Sequence, residues 1–148
     1  MTMDKTGKKL QIQIITPSGI SHSCESDLLT APAVMGTVGI LPNHIPLFTK
    51  LEPGEIKIKT GGKNEYIAIT GGFMDVNSSS RVTILTDSAQ RSEEIDEKRA
   101  EKAKEEAEKL LKDREKLSEK EFAVAENSLR KALLDLKVSR KRKIKKLP

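Results

Sequence analysis

The sequence contains little cysteine, few aromatic residues and no long apolar run. Its 148 residues include one Cys, no Trp, one Tyr and three Phe. A single Cys24 excludes an internal disulfide, and neither a second Cys nor clustered His supplies the ligand spacing of a zinc site. No stretch approaches the roughly 18 apolar residues that a membrane helix needs, and the N-terminus resembles neither a signal peptide nor a transit peptide. We expect a chain without a structural metal, held at any membrane only through other proteins.

Glycine and proline are absent from residues 91–147, whereas residues 1–90 hold all nine Gly and five of the six Pro. Charge changes at the same place. The first 90 residues balance eight basic against eight acidic side chains, so the net charge of +5 lies beyond them. Residues 137–148 contain seven Lys or Arg and no acid. The composition predicts three parts: a β domain over 1–90, helices over 91–138, and a basic tail over 139–148.

The first part alternates apolar and polar residues with a period of two. Leu10, Ile12 and Ile14 alternate with glutamines, which is typical of a half-buried strand. Farther on, two apolar segments flank Gly61-Gly62, which predicts a β-hairpin with a tight turn. Many short strands separated by turns predict an all-β flattened sandwich or barrel.

The second part has the Ala, Glu, Lys and Leu content of helices, with apolar residues recurring every three or four positions. Ser92 is placed to cap the first helix, and Ser118 with Glu121 forms a capping box for the second. An antiparallel two-helix hairpin is therefore expected, so the fold class is α+β. The apolar stripes are rich in Ala, and only a cap encodes the break between the helices. A detachable hairpin and a permanently packed one both fit this pattern.

Several blocks of residues resemble one known family. The stretch 36–47, GTVGILPNHIPL, resembles the GxLGILPxHxPL signature of ATP synthase epsilon subunits, and Leu51-Glu52-Pro53-Gly54 continues it. AITGGFMDV at 68–76, VTILTDSA at 82–89 and IDEKRA at 95–100 follow in the same order and spacing. The resemblance covers roughly residues 9–138.

The resemblance implies a sandwich of about ten strands, a C-terminal helical hairpin, and a non-catalytic rotor subunit. Its expected partners are the gamma subunit, the ring of c subunits, and an acidic segment of a beta subunit that meets the basic C-terminal helix and inhibits ATP hydrolysis. Gly36, Thr37 and Val38 correspond to the loop near the c ring, although Thr37 stands at a commonly acidic position. The implied location is the cytoplasmic face of a bacterial plasma membrane, with a plastid thylakoid as the alternative.

The same resemblance nominates a regulatory ATP site. Asp96 and Arg99 match the I-D-x-x-R-A motif by which some bacterial epsilon subunits bind ATP. Other positions of that site differ, since alignment places Gln90, Lys131 and Asp135 where relatives carry Glu and two Arg. Asp135 would repel phosphate, so weak binding or none is expected. In the competing interpretation, Asp96 interacts favourably with the dipole of the first helix and forms a surface ion pair with Arg99.

Two other function classes fit parts of the sequence. A small β domain with a basic helical end is compatible with nucleic-acid binding, but the β part is neutral and the spacing of Phe48, Tyr66 and Phe73 defines no stacking platform. A small enzyme would have to use His44 or Cys24, and neither has an evident activating partner. We expect no catalytic residue and no nucleic-acid partner.

Overall fold

A computed structural model describes residues 7–146, with side chains to residue 141. The chain divides into two compact units, Met1–Arg91 and Ser92–Pro148. The first contains strands and the second contains helices, which confirms the predicted α+β architecture.

The first unit has eight strands in its described part. They are β1 (Leu10–Thr16), β2 (Gly19–Ser26), β3 (Leu28–Ala33), β4 (Gly36–Ile40), β5 (Leu47–Thr60), β6 (Lys63–Val76), β7 (Arg81–Leu85) and β8 (Ala89–Arg91). The strand order is β2-β1-β7-β6-β5-β3-β4, and β8 pairs with β6. Neighbouring strands are antiparallel except β1 and β7, which are parallel.

The alternation seen in the sequence directs one face of each strand inward. In β1, Leu10, Ile12 and Ile14 are at most 1% exposed, while Gln11 faces water. Strands from both ends of the sheet contribute to a single apolar core. The sheet therefore closes on itself as a flattened sandwich, as predicted.

The predicted hairpin is present, and its strands are unusually long. β5 and β6 have 14 residues each and turn at Gly61-Gly62, whose φ angles of 55° and 84° are those of a tight hairpin turn. Residues 67–69 of β6 pair with β8, whereas residues 73–76 pair with β7. β6 thus serves two parts of the sandwich. The described residues form eight strands where about ten were expected, and two of the eight are 14 residues long.

The second unit is an antiparallel helical hairpin. A 3-10 turn at Ser92–Glu94 precedes α1 (Glu97–Lys112), a second 3-10 turn spans Arg114–Lys116, and α2 runs over Glu119–Lys146. The two helices pack against each other, and α2 also contacts the first 3-10 turn. α2 continues through the segment where composition places a basic tail.

One predicted helix cap is wrong and the other is correct. Ser92 is buried in the 3-10 turn, and Asp96 caps α1 instead by accepting a hydrogen bond from the Lys98 N–H at 3.0 Å. Asp96 directly precedes the first α-helical turn, where a carboxylate also favours the helix dipole. The capping box is confirmed, because Ser118 and Glu121 each accept a hydrogen bond from the other's backbone N–H.

Candidate functional site

An apolar row crosses the outer face of four neighbouring strands in the β unit. The strand registers place Phe73 beside Leu85, Leu85 beside Ile15, and Ile15 beside Ile20. Phe73, Leu85 and Ile20 are 45%, 49% and 61% exposed. Single exposed apolar residues are common, but a continuous row on a folded surface marks a contact with another molecule.

Phe48 extends this row at one end. Its ring stacks on Phe73 with centroids 5.8 Å apart and is 68% exposed. Sequence spacing did not predict this contact between Phe48 and Phe73. Their separation of 25 positions hides a diagonal contact between β5 and β6, which only the register reveals. "The apolar row" below denotes Ile15, Ile20, Phe48, Phe73 and Leu85.

A cleft of about 390 Å³ opens beside the row, lined by Ile15, Pro17, Gly72, Phe73 and Leu85 together with three polar residues. Gly72 creates the close approach at its base. A Cβ at this position would lie 1.9 Å from the Leu85 carbonyl oxygen, and its φ is 135°. Only glycine lets β6 pass β7 at this distance.

The turn between β3 and β4 carries a second exposed apolar feature. Met35 is 93% exposed and Val34 is 44% exposed, while the Val34 N–H donates to the Lys50 carbonyl at 3.1 Å and fixes the turn. Gly36, Thr37 and Val38 follow this turn and were the predicted contact residues; Gly36 and Thr37 are exposed, and Val38 packs partly against the core. Val34 and Met35 were not predicted, although apolar residues in a turn are a readable signal.

The loop after β4 is held by a network of hydrogen bonds. Asn43 has a left-handed φ of 66°, its N–H donates to Ser80 Oγ at 2.8 Å, and its side chain accepts from Lys8 Nζ at 2.8 Å. The His44 N–H donates to the Leu41 carbonyl at 3.1 Å. The loop thus presents Ile45, which is 76% exposed, in a defined position.

The contacts of His44 and the electrostatics of Cys24 do not point to an activated nucleophile. His44 Nδ1 lies 2.7 Å from the Ile45 carbonyl, so it carries the proton and donates to that oxygen. Burial and the nearby Glu65 carboxylate raise the pKa of the Cys24 thiol, although Arg91 opposes them. A thiol with a raised pKa is protonated and a poor nucleophile at neutral pH.

Asp96 and Arg99, the nominated ATP contacts, are both exposed at the start of α1. One carboxylate oxygen of Asp96 accepts the hydrogen bond of the helix cap. Within the described residues no ion pair joins Asp96 to Arg99, so the surface pairing considered from the sequence is not formed. Both side chains are accessible to a ligand.

The second-helix positions of the nominated ATP site are occupied by an ion pair. Lys131 Nζ lies 3.8 Å from Asp135 Oδ2, one helical turn away. Burial raises the pKa of the Asp135 carboxyl, and Lys131 only partly offsets this effect. Lys131 is therefore held by an acid of its own helix, where a phosphate ligand would need an unopposed cation.

An apolar groove of about 610 Å³ runs between the helices near their connection. Its floor contains Ala107, Leu117 and Ala125, while Leu110 and Val124 are 52% and 59% exposed at its edges. The helices are thus less completely packed here than at the opposite end, where Leu136 and Val138 are at most 5% exposed.

Two family models divide the chain between them. The β-sandwich domain of the ATP synthase delta/epsilon chain matches residues 9–92, and the long α-helix domain of the same chain matches residues 93–140. The chain belongs to the ATP synthase epsilon family. As an epsilon-family chain it is a non-catalytic subunit of the central stalk and part of the membrane-bound ATP synthase complex.

Individual relatives agree with this assignment. An ATP synthase epsilon chain from Herpetosiphon aurantiacus is 46% identical over 134 residues, covering 90% of this chain and 96% of the relative. Another from Chloroflexus aggregans is 44% identical over 137 residues, covering 93% and 96%. Neither these matches nor the site geometry supports the nucleic-acid-binding alternative.

Solved structures show the same fold at lower identity. The chain aligns with a chain of the Euglena gracilis mitochondrial ATP synthase, in an assembly of OSCP, F1 and c-ring, with a TM-score of 0.65 and 24% identity. That alignment covers 88% of this chain and 83% of the other. A chain of the Tetrahymena thermophila central stalk and c-ring gives a TM-score of 0.57 at 16% identity, covering 89% and 97%.

The described residues of this epsilon-family chain contain no cluster of His, Cys, Asp or Glu suited to a metal ion. No helix in the same part of the chain combines the length and apolar character needed to cross a membrane.

Proposed function

We propose that the β-sandwich, residues 1–90, binds the gamma subunit through the apolar row and turns with it. The row carries this proposal, because five apolar side chains lie side by side on an otherwise polar face. Burial of each large apolar side chain contributes roughly 1.5–3 kcal/mol, so such a row provides most of the energy of a stable interface. A rotor subunit requires a contact that persists under torque.

The β3–β4 turn is the proposed contact with the c ring. Met35 and Val34 form an apolar tip, and Thr37 follows at the position where relatives carry an acid. Apolar contacts of this kind are less sensitive to salt than ion pairs. We therefore expect this subunit to meet the ring through packing, and to remain attached at ionic strengths that weaken charged interfaces.

The helices and the basic segment form the proposed regulatory part. Residues 91–138 form a hairpin that moves between a folded and an extended arrangement, and the basic residues of 139–148 contact an acidic segment of a beta subunit and inhibit ATP hydrolysis. Arg142, Lys143, Lys145 and Lys146 belong to this segment, and their side chains lie outside the described residues. In a bacterium, the whole subunit would sit at the cytoplasmic face of the plasma membrane.

A pair of matched substitutions tests docking through the apolar row. Leu85→Lys places a charge in the row, whereas Leu110→Lys places the same charge on a leucine of α1 with nearly the same exposure, 49% against 52%. We expect Leu85→Lys to weaken co-elution with the assembled alpha, beta and gamma subunits by at least about tenfold, since an interfacial charge must be desolvated. Leu110→Lys should bind like the unchanged chain.

Thermal unfolding of both variants controls for folding. Equal binding by two folded variants would show that the row does not meet gamma. Loss of binding by both would place the contact elsewhere. A chain ending at Arg91 should bind but not inhibit ATP hydrolysis, and inhibition by this shortened chain would remove the helices from the regulatory role.

Asp96 and Arg99 remain the proposed contacts for regulatory ATP. Their exposure supports the proposal, and the Lys131–Asp135 ion pair leads us to expect weak binding. Isothermal titration with ATP should show weak binding that Arg99→Gln abolishes and Asp135→Asn strengthens. Binding unchanged by Arg99→Gln would exclude this location.

A further inference from the structure

Where α2 enters the basic segment, three of its residues up to 139 are deeply buried. Leu136, Val138 and Ser139 are 2%, 5% and 0% exposed, and α2 contacts the 3-10 turn at Ser92–Glu94. Composition places Leu136 and Val138 at the end of the predicted helices and Ser139 at the start of the basic tail. In the folded hairpin this stretch forms the closing end.

Arg140 directly follows these buried residues and carries a positive charge. Its Nε lies 4.0 Å from Glu97 Oε1, and its Nη2 lies 3.9 Å from Glu101 Oε1. The two glutamates are four residues apart, so they lie on the same face of α1 over consecutive turns. One guanidinium therefore lies within ion-pair distance of two carboxylates of the opposite helix, at separations longer than a hydrogen bond.

We propose that Arg140 is a latch: it closes the hairpin by pairing with Glu97 and Glu101, and an acidic surface on a partner must compete with these glutamates to capture it. This inference rests on the proposed regulatory function of the hairpin. The arginine is free to engage an acidic partner only when the hairpin opens. In the closed hairpin, Glu97 and Glu101 thus take the place that the acidic surface of the partner would take when the hairpin is open.

The ion pairs of Arg140 are weak enough to form and break reversibly. Arg140 is 61% exposed at its side chain, Glu97 is 22% exposed and Glu101 is 54% exposed. Ion pairs at such positions shift an equilibrium by about two- to fivefold each, and salt screens them. The latch therefore biases the hairpin toward closure without preventing its opening.

Ser139, the neighbour of Arg140, opposes the latch. Its Oγ is buried and has no hydrogen-bond partner among the described residues. A buried hydroxyl without a partner loses its water on closure and gains nothing in return. Closure at this end of the hairpin is thus favoured by Arg140 and disfavoured by Ser139, which keeps the two arrangements close in free energy.

Three variants of the full-length chain test the latch. Glu97→Gln with Glu101→Gln removes the acceptors but leaves Arg140 available to a partner. Glu105→Gln with Glu106→Gln is the matched control, because it changes the net charge of α1 equally at exposed residues that make no ion pair with α2 in the described part of the chain. Ser139→Ala removes the unpaired hydroxyl and should favour closure.

Opening is measured as the distance between spin labels at exposed positions 102 and 137, in a background where Cys24, the only cysteine, is serine. We expect the Glu97/Glu101 variant to raise the open fraction by about twofold or more, and Ser139→Ala to lower it. Adding salt should open the unchanged chain but not the Glu97/Glu101 variant. Equal distance distributions for the Glu97/Glu101 variant and its control would overturn the latch.

Charge reversal separates pairing from a general effect of charge. Arg140→Glu alone should open the hairpin, and adding Glu97→Lys with Glu101→Lys should close it again. Failure of this rescue in variants with unchanged helicity by circular dichroism would also overturn the latch.

ATPase inhibition in the assembled complex distinguishes the latch from the proposed function on which it rests. The Glu97/Glu101 variant should inhibit more strongly than the unchanged chain, whereas Arg140→Gln should open equally but inhibit less. If the distances shift as expected while no full-length chain inhibits, the latch stands and the regulatory function of the hairpin fails.

Discussion

The β unit and the helical unit differ in what they bury. The sandwich core is made of large side chains with almost no exposure, among them Leu10, Ile14, Ile56 and Ile84. Of the seven buried apolar residues in the described part of the helical unit, four are alanine. Because burial stabilises in proportion to apolar area, the sandwich gains far more per buried residue than the hairpin. The buried residues of the same chain thus favour a more stable β unit and a less stable helical unit.

The two units also differ in how their contacts relate to sequence. In the sandwich, parallel pairing of β1 with β7 joins residues about 70 positions apart, such as Gln11 with Arg81. In the hairpin, the reciprocal bonds of Ser118 and Glu121 set the connection locally. The sandwich should therefore unfold as one cooperative unit, whereas the hairpin should respond to changes in single residues.

The largest expected effect is the loss of the sandwich on substitution of Gly72. Gly72→Ala places a methyl group where the Leu85 carbonyl oxygen lies, at a φ that L side chains rarely adopt. We expect the free energy of unfolding to fall by about 3 kcal/mol or more. Gly39→Ala is the control, because the nearest atom to its Cβ is 3.9 Å away. Similar urea midpoints for the two variants would contradict a special requirement for glycine at position 72.

An intermediate effect is expected at the closing end of the hairpin. Leu136→Ala removes a side chain that is 2% exposed, whereas Leu133→Ala removes one that is 45% exposed. We expect Leu136→Ala to cost about 2 kcal/mol of hairpin closure and Leu133→Ala much less. Hydrogen exchange of α1 and α2 amides measures this directly. Equal exchange in the two variants would show that the hairpin has no defined interior.

The smallest effect concerns pH and Asp135. Its pKa is raised mainly by burial, so its charged form opposes folding. This opposition is absent below the unfolded-state pKa and develops as pH rises through the folded-state pKa. Asp135→Asn should therefore stabilise the hairpin slightly at neutral pH, and its advantage should shrink in acid. Urea melts of both chains at several pH values test this. An advantage that grows on acidification would reverse the assignment.

Much of the fold was predictable because it depends on local pattern. Period-two alternation gave β1, paired glycines gave the β5–β6 turn, and Ser118 with Glu121 gave the start of α2. These signals act over a few residues, where side-chain direction and capping follow directly from the backbone. The local pattern did not identify the cap of α1. Ser92 is buried in a separate 3-10 turn, and Asp96 is the residue that caps the helix.

Less of the candidate site was predictable, because it depends on which strands become neighbours. The apolar row joins residues of β1, β2, β5, β6 and β7, and no periodicity in the sequence announces that these five side chains meet. The pairing of Arg140 with two glutamates about 40 positions earlier was hidden in the same way, inside a run of charges that resembled a solvated tail.

The length of β5 and β6 has a mechanical consequence. β6 continues from the part that pairs with β7 to the part that pairs with β8 and on to the tight turn, and β5 pairs with it along this length. A twisting load applied at one end is therefore carried along covalent backbone and a ladder of hydrogen bonds loaded in shear, many at a time. Such a ladder yields much less readily than bonds peeled open one after another. The β5–β6 hairpin is therefore expected to resist bending and twisting along its length.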